Sequence, residues 1–429
     1  MANARAVAVR ALLAVESENG YSNIVLAKLL SETSLSAVDR SLATRIFYGT
    51  LDRKITLDYI LGQFIKTPVK KLKPFCRAVL ETALYQIIYA ERIPDSAAVN
   101  EAVNLMKKSK ERYGASFVNG VLRNILRQGY SLPKGEDAAS LEIRFSCPKR
   151  IVESLTADYG TETAVKLLEE SLAEPPVYLR VNTVKTTPSA LCERLNREGI
   201  TAEICAVENA VRVNGGMDMG NSAAYRDGLF HVQDLASQKA LAVLCPKTGE
   251  RVLDLCAAPG GKTFTMAEMM QDRGTVEAYE LHESRVTLIQ KGAARLGLTS
   301  VSAKQGDATV LDPDLCGGFD AVLCDVPCSG WGVLRRKPEL KYRTADSFAE
   351  LEEIQQKILQ SGAMALKTGG RLLYSTCTLR RGENDVSVRT FLDKHPYFAL
   401  KYEHTFFPHT DGTDGFYCAL LTKEGEDDT

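Results

Sequence analysis

Cys328 and Cys377 lie 49 residues apart, in Asp325-Val326-Pro327-Cys328-Ser329-Gly330 and Tyr374-Ser375-Thr376-Cys377-Thr378. The commoner role of a cysteine is that of a small buried hydrophobe, and that reading is given to Cys256, Cys316, Cys324 and Cys418. Cys328 and Cys377 differ, because Pro, Ser, Thr or Gly flank each at the end of an apolar strand-like run. A thiolate can add to C6 of a pyrimidine and load electron density onto C5, a carbon that is otherwise a poor nucleophile. Such chemistry needs one attacking thiolate, a carboxylate near N3 and N4 of the ring, and a base for the C5 proton. Asp325, three residues before Cys328, supplies the carboxylate. The spacing does not say which thiol attacks.

A cofactor turn precedes both thiols. Val252-Leu253-Asp254-Leu255 reads as a short buried strand, followed by Cys256-Ala257-Ala258-Pro259-Gly260-Gly261-Lys262-Thr263. In open α/β sheets ligands bind beyond the carboxyl ends of the strands, and small residues let a ligand approach the backbone. A P-loop needs Gly five residues before the Gly-Lys pair, where this chain has Cys256, and the Gly-x-Gly-x-x-Gly fingerprint of dinucleotide sites is absent. An acid ends each of the next two strands: Glu280, placed to accept from ribose hydroxyls, and Asp307, placed to accept from an adenine amine. Ribose and adenine without a pyrophosphate cradle point to S-adenosyl-L-methionine.

The elements that position these residues follow from periodicity. Apolar strands are expected at 251–255, 275–280, 301–304, 319–325 and 370–376, with helices at 283–296, 345–367 and 383–394 and a last strand at 415–422. This alternation predicts a doubly wound, Rossmann-like α/β domain over 231–425. Residues 140–230 read as a small α+β module: a helix-rich stretch at 149–172, a strand at 177–182, a helix at 188–198 and strand-like sequence at 202–213. Residues 1–130 read as helices throughout, so the fold class is multidomain. Leu80, Leu84, Ile87 and Ile88 share one face of a helix, and Asp95-Ser96 is expected to cap another. Residues 423–429 read as a frayed acidic tail.

Net charge is −1, but the distribution is uneven: residues 1–130 hold 19 Lys and Arg against 11 Asp and Glu, leaving +8 there and −9 on the remaining 299 residues. A basic third fits an anionic polymer. Lys70, Lys71 and Lys73, with a second cluster at 107–112, are candidate RNA contacts, as are Arg335, Arg336 and Lys337 near the pocket mouth. Eleven cysteines without Cys-x-x-Cys, and five histidines, give no support for a zinc site or a disulfide framework. No apolar run nears the roughly 18 residues of a membrane span, and no signal-peptide pattern opens the chain. The expected protein is cytoplasmic and monomeric, with no metal and no membrane partner.

Together the motifs resemble the RNA (cytosine-5) methyltransferases, specifically the RsmB/Sun/Fmu family of bacterial 16S ribosomal RNA enzymes. The resemblance rests on Leu253–Thr263, Asp325–Gly330, Tyr374–Leu379 and the segment His231-Val232-Gln233-Asp234-Leu235-Ala236-Ser237. It implies a NusB-like RNA-binding N-terminal domain and an RNA-recognition-like middle module. It further implies Cys377 as the nucleophile, Cys328 as the group that assists release, and Asp325 as a contact to both base and cofactor. The cofactor site would run from Cys256 to Lys262, with Glu280, Arg285 and Asp307. Glu280 departs from the Asp usual in the family. The target base would be flipped or already unpaired. The same chemistry on transfer RNA or another ribosomal site, and a non-catalytic RNA-binding protein, are the other readings.

If the N-terminal lysines grip phosphates, replacing Lys70, Lys71 and Lys73 by Gln weakens RNA binding. The salt slope then falls by roughly 0.7–0.9 for each phosphate no longer neutralised. Cofactor affinity stays unchanged. A filter-binding salt titration checks this, and an unaltered slope excludes these lysines from the RNA footprint.

Overall fold

The structure is a computed structural model that describes residues 3–18, 21–215, 220–343 and 348–425. The chain divides into two compact units, one of Met1–Ala173 with Leu334–Arg343, the other of Glu174–Val333 with Thr344–Thr429.

The first unit is helical: α1 (Ala4–Glu18), α2 (Ser22–Ser31), α3 (Ala37–Asp52), α4 (Lys54–Gly62), α5 (Pro74–Tyr89), α6 (Asp95–Lys107), α7 (Ala115–Gln128), α8 (Ala138–Phe145), α9 (Lys149–Tyr159) and α10 (Thr161–Glu170). Pro74 opens α5, where its missing N–H costs no hydrogen bond. Leu80 and Leu84 are fully buried, but so are Val79 and Ala83 on other faces. The helix is therefore a central core element, buried on more than the one face that the sequence pattern marks. Asp95 is the first helical residue of α6 instead of its cap; Pro94 holds the cap position with no side-chain cap bond. Asp95 still lies in the first turn, where a carboxylate complements the helix dipole.

Leu334–Arg343 packs within this unit. The side chain of Lys341 is fully buried, with Nζ 2.5 Å from Asp52 Oδ1. Glu339 accepts from Ser22 Oγ at 2.8 Å, and the Tyr342 hydroxyl donates to the Leu51 carbonyl at 3.0 Å.

The second unit holds two sheets. The smaller runs β2 (Ala202–Ile204), β3 (Ala210–Val213), β1 (Val177–Val181), β4 (Phe230–Val232), all antiparallel. Helix α11 (Pro188–Arg197) packs on it, its amine end capped by Thr187, and the short α12 (Ala223–Arg226) leads into β4. The helices α9 and α10, which precede this sheet in the chain, make their contacts within the first compact unit.

Helix α13 (Leu235–Leu244) leads to the larger sheet, whose order is β10 (Phe398–Phe406), β11 (Phe416–Lys423), β9 (Leu366–Thr376), β8 (Phe319–Asp325), β5 (Arg251–Asp254), β6 (Thr275–Glu280), β7 (Val301–Gln305). Strands β5 to β9 are parallel. Helices α14 (Gly261–Met269), α15 (Glu283–Leu296), α16 (Phe348–Ala365) and α17 (Asp385–Lys394) alternate with them, with α18 (Pro408–Asp411) between the last two strands. Two apolar cores flank the sheet, one around Leu241, Val252 and Ile289, the other around Leu359, Tyr374 and Phe391. Strand β11 runs antiparallel to its neighbours β9 and β10, and β10 is a strand that the sequence pattern does not predict. Lys423 belongs to β11 rather than to a tail; residues 426–429 lie outside the described residues. No helix among the described residues is long and apolar enough to cross a membrane.

The chain proceeds from β5 outward through β6 and β7, then returns to β8 and β9 on the other side. The switch point falls between β5 and β8, where a crevice forms beyond the carboxyl ends of the strands.

Removing Asp52 would leave the Lys341 ammonium buried without a counter-charge, so Asp52→Ala should cost roughly 3–5 kcal/mol. Adding Lys341→Met should recover most of that loss. Chemical denaturation of the two variants checks this; an Asp52→Ala protein as stable as the parent contradicts it.

Candidate active site

Three strand ends supply the site. Strand β5 ends in Asp254 and feeds the glycine-rich turn; β8 ends in Asp325; β9 ends in Thr376, followed by Cys377. Asp325 and Ser375 are register partners across β8 and β9, so the loops after them leave side by side. The thiols converge at a Cys328 Sγ to Cys377 Sγ distance of 3.2 Å.

Asp325 is bonded on both oxygens: Lys262 Nζ donates to Oδ2 at 2.8 Å and Ser375 Oγ to Oδ1 at 2.7 Å. Burial pulls the Lys262 ammonium toward deprotonation, but the charge and hydrogen bond of Asp325 outweigh it and hold its pKa above the ordinary lysine value. The Cys328 thiol is pushed well up by its hydrogen bond to Cys377, then by burial.

The glycine-rich turn needs Gly260. Gly260 has φ +107°, and a Cβ there would stand 2.3 Å from the Phe264 ring. Gly332, after the Cys328 loop, donates to the Cys377 carbonyl at 3.0 Å; a Cβ on it would meet the Gly415 carbonyl.

A cavity of about 210 Å³ opens at the switch point. Of the residues predicted from sequence, Cys256, Ala257, Ala258, Pro259, Gly261, Lys262 and Asp325 line it. Gly260 turns the backbone beside it. Glu280 is buried at the end of β6, where Oε1 accepts from Arg285 Nη1 at 3.2 Å and from the His282 amide at 3.3 Å. Asp307 follows β7 and caps its own turn, accepting from the Thr309 hydroxyl at 2.7 Å, which together with the Thr309 amide holds its pKa low. Glu280 and Asp307 stand at neighbouring strand ends and Arg285 in the first turn of α15, none of them in the cavity wall.

Sequence reasoning missed Asp254 and Gln233. Both line the cavity, both are at least nine-tenths buried, and each keeps one polar atom without a partner, Asp254 Oδ1 and Gln233 Nε2. Asp254 Oδ2 accepts from Thr263 Oγ1 at 2.7 Å. Burial is the main cause that raises its pKa, to about 7, with the charge of Asp325 adding to it. A free buried carboxylate oxygen and a free buried amide donor fit the amino-acid end of S-adenosyl-L-methionine. A pattern of buried strand followed by small residues could have flagged Asp254; Gln233 lies in the His231–Ser237 segment that carries the resemblance, but nothing in that segment marks it as facing a cavity.

The basic candidates separate. Arg335 is almost wholly buried and ion-paired with Glu170 at 3.4 Å, because its segment packs into the helical unit, so its guanidinium is committed within the fold. Lys337 is exposed and Arg336 half-buried. Lys70 and Lys71 are exposed in a short turn before α5, and exposed Lys73 lies 5.0 Å from the Tyr113 ring. Cys324 and Cys418 are buried as expected, whereas Cys316 is exposed. No group of three or more His, Cys, Asp or Glu among the described residues could hold a metal ion.

Comparison with known proteins settles the family. The model of the 16S rRNA methyltransferase RsmB/F family matches residues 241–422, that of the NusB family residues 2–127, and that of the RsmF/B-like ferredoxin-like domain residues 147–220. The probable ribosomal RNA small subunit methyltransferase B of Bacillus subtilis is 40% identical over 98% of this chain and 99% of its own. The chain belongs to the RsmB/F family. A relative described in the same words from Synechocystis is 32% identical over 99% of this chain and 100% of its own. A crystal structure of a protein named PH0851 superposes with a TM-score of 0.83 at 26% identity, covering 98% of each chain. A methyltransferase homolog from Pyrococcus horikoshii gives 0.58 at 26% identity over 67% of this chain and 98% of that one. Membership in the RsmB/F family makes the protein a class I ribosomal RNA methyltransferase whose cofactor is S-adenosyl-L-methionine.

The Asp254 shift has a sign that can be measured. In the cofactor-free protein the protonated form is the stabilising one, a contribution lost as pH rises from the ordinary carboxylate range through about 7. A cationic amino group docking on Oδ1 favours ionised Asp254, so cofactor binding expels that proton. Affinity should therefore rise between about pH 5 and 7 and then level, with proton release seen by calorimetry in buffers of different ionisation heat. Asp254→Asn should abolish the slope; a wild-type affinity flat across this range contradicts the assignment.

Proposed function

We propose that this protein methylates C5 of a cytosine in 16S ribosomal RNA through a covalent adduct between Cys377 and C6. The observation that carries the reading is the 3.2 Å approach of Cys328 and Cys377 beside a carboxylate at adjoining parallel strand ends. Enzymes that methylate exocyclic amines or ribose hydroxyls need no thiol, let alone two.

We assign Cys377, as thiolate, the attack on C6, and Cys328, 3.2 Å away, the later proton transfer. Asp325, fixed by Lys262 and Ser375, steadies the ring at N3 and N4 while charge moves toward C5. When bound, S-adenosyl-L-methionine supplies the methyl group that the activated C5 takes up. Forming the carbon–sulfur bond removes the negative partner that raises the Cys328 pKa. Its thiol can then release its proton to solvent and act as base. Cys328 takes the C5 proton, the ring electrons re-form the C5–C6 double bond, and Cys377 leaves as thiolate.

A base inside a stack cannot reach these thiols, so the target is an unpaired or flipped nucleotide. Exposed Lys70, Lys71, Lys73 and Lys337, with Arg336, are the phosphate contacts we assign. Arg335 serves structure first. The naming of full-length relatives as small-subunit ribosomal RNA enzymes favours 16S RNA over transfer RNA, and the cytoplasm as the compartment. The domain limits we assign are 1–130, 140–230 and 231–425.

The test is transfer of labelled methyl from S-adenosyl-L-methionine to purified 16S RNA. Cys377→Ser should lose activity by at least about 10³-fold, the scale of removing a covalent nucleophile, and form no adduct. Cys328→Ser should stall as a protein–RNA adduct that survives denaturing electrophoresis. An adduct formed by Cys377→Ser would reverse the roles, and product methylated elsewhere than C5 would end the reading.

A further inference from the structure

Two adjacent side chains outside the proposed chemistry hold both thiol loops. Glu383 is fully buried and Asn384 nearly so, at the start of α17. The Glu383 carboxylate accepts from the Ser329 amide at 2.9 Å, from Ser329 Oγ at 2.5 Å, from Gln355 Nε2 at 2.9 Å and from Arg380 Nη1 at 3.3 Å. Those bonds use the roughly four acceptor sites a carboxylate has. Ser329 is the residue after Cys328, and Gln355 also donates to the Pro327 carbonyl just before it, at 2.9 Å. Glu383 thus holds the Cys328 loop from both sides.

Asn384 does the same for the other loop. Its Oδ1 accepts from Thr376 Oγ1 at 2.6 Å, and its Nδ2 donates to the Thr378 carbonyl at 3.0 Å. Thr376 and Thr378 are the residues on either side of Cys377. A direct tie, Ser329 Oγ to Thr378 Oγ1 at 2.7 Å, joins the two loops. The dipeptide is itself anchored: Tyr374 OH donates to the Glu383 carbonyl at 2.7 Å, and the Asn384 carbonyl accepts the Val388 amide of α17 at 3.0 Å.

We propose that Glu383-Asn384 is a two-sided clamp that sets the distance between the thiols, Glu383 positioning Cys328 and Asn384 positioning Cys377. One covalent unit governs both loops, so it fixes their separation and not only each loop's own conformation. Neither residue touches substrate; both act through the cysteines. A buried, fully paired polar network is the kind that rigidifies a site, and removing one member frees the group it held. The inference rests on the two-thiol reading and divides it: loosening Glu383 disturbs release, loosening Asn384 disturbs attack.

The experiment compares wild type, Glu383→Gln and Asn384→Ala in two assays. The first follows closure of the Cys328–Cys377 disulfide by diamide, with peptide mass analysis. Two S–H bonds break, one S–S bond forms, and the N=N bond of diamide takes up both hydrogens. This assay needs no RNA. Both variants should close about tenfold more slowly, since closure depends on the effective concentration of one thiol at the other. The second follows a single turnover on 16S RNA. Glu383→Gln should form the adduct within about twofold of wild type but release it about tenfold more slowly. Asn384→Ala should slow adduct formation on the order of 100-fold, the loss that a misplacement of about 1 Å brings.

Closure at the wild-type rate in both variants overturns the clamp, as does an equal loss in the same step for both. If wild type forms no adduct, the cytosine-5 reading falls while slowed closure still sustains the clamp. Ser329→Ala removes the hydroxyl bonds to Glu383 and Thr378, and Thr376→Val the one to Asn384; they carry the closure assay if a primary variant fails to fold.

Discussion

The carboxylate of Asp325 joins the parts of this site. One oxygen holds Lys262 of the cofactor turn and the other holds Ser375, two residues before Cys377. A carboxylate bonded on one side by an ammonium and on the other by a hydroxyl is held in one place. Strands β5, β8 and β9 meet around it because the chain reverses its direction of travel through the sheet there. Moving Asp325 would therefore shift the cofactor turn and the thiol loops together. The doubly wound sheet supplies the crevice, and Asp325 makes that crevice a single site.

Much of this was legible in the sequence, because the informative residues sit where local patterning changes. Buried strands end abruptly in small or polar residues, and the end of each strand is the place where a parallel sheet binds ligands. That logic reaches the glycine-rich turn, Asp325, Cys328 and Cys377 without a structure. It also gives the parallel strands within a few residues and the helical character of the N-terminal third.

What escaped has a physical reason in each case. Strand β10 carries Lys401, Glu403 and His404 on an edge of the sheet, where only one side needs a hydrogen-bonded neighbour and apolar patterning is weak. Asp254 reads as an ordinary polar residue ending a strand; its unpaired oxygen becomes visible only when burial is known. Gln233, Glu383 and Asn384 act through hydrogen bonds made across 28 to 54 residues of sequence or across a tight helix start. Arg335 reads as part of a basic run until its segment is seen to pack among helices against Glu170. Helix α5 shows the same limit: a stripe of Leu and Ile is compatible with burial on one face or on all of them, and only the neighbours decide.

The central claim is that Cys377 becomes covalently bonded to the target base, and a base that cannot complete the reaction tests it most directly. A 16S RNA fragment carrying 5-fluorocytosine, incubated with the protein and S-adenosyl-L-methionine, should accumulate a stable adduct, since fluorine at C5 cannot leave as a proton does. Mass analysis of the digested complex identifies the linked residue. The account predicts RNA attached at Cys377 and at no other cysteine. Attachment at Cys328, or a protein that methylates normal 16S RNA yet forms no adduct with the fluorinated one, would contradict it.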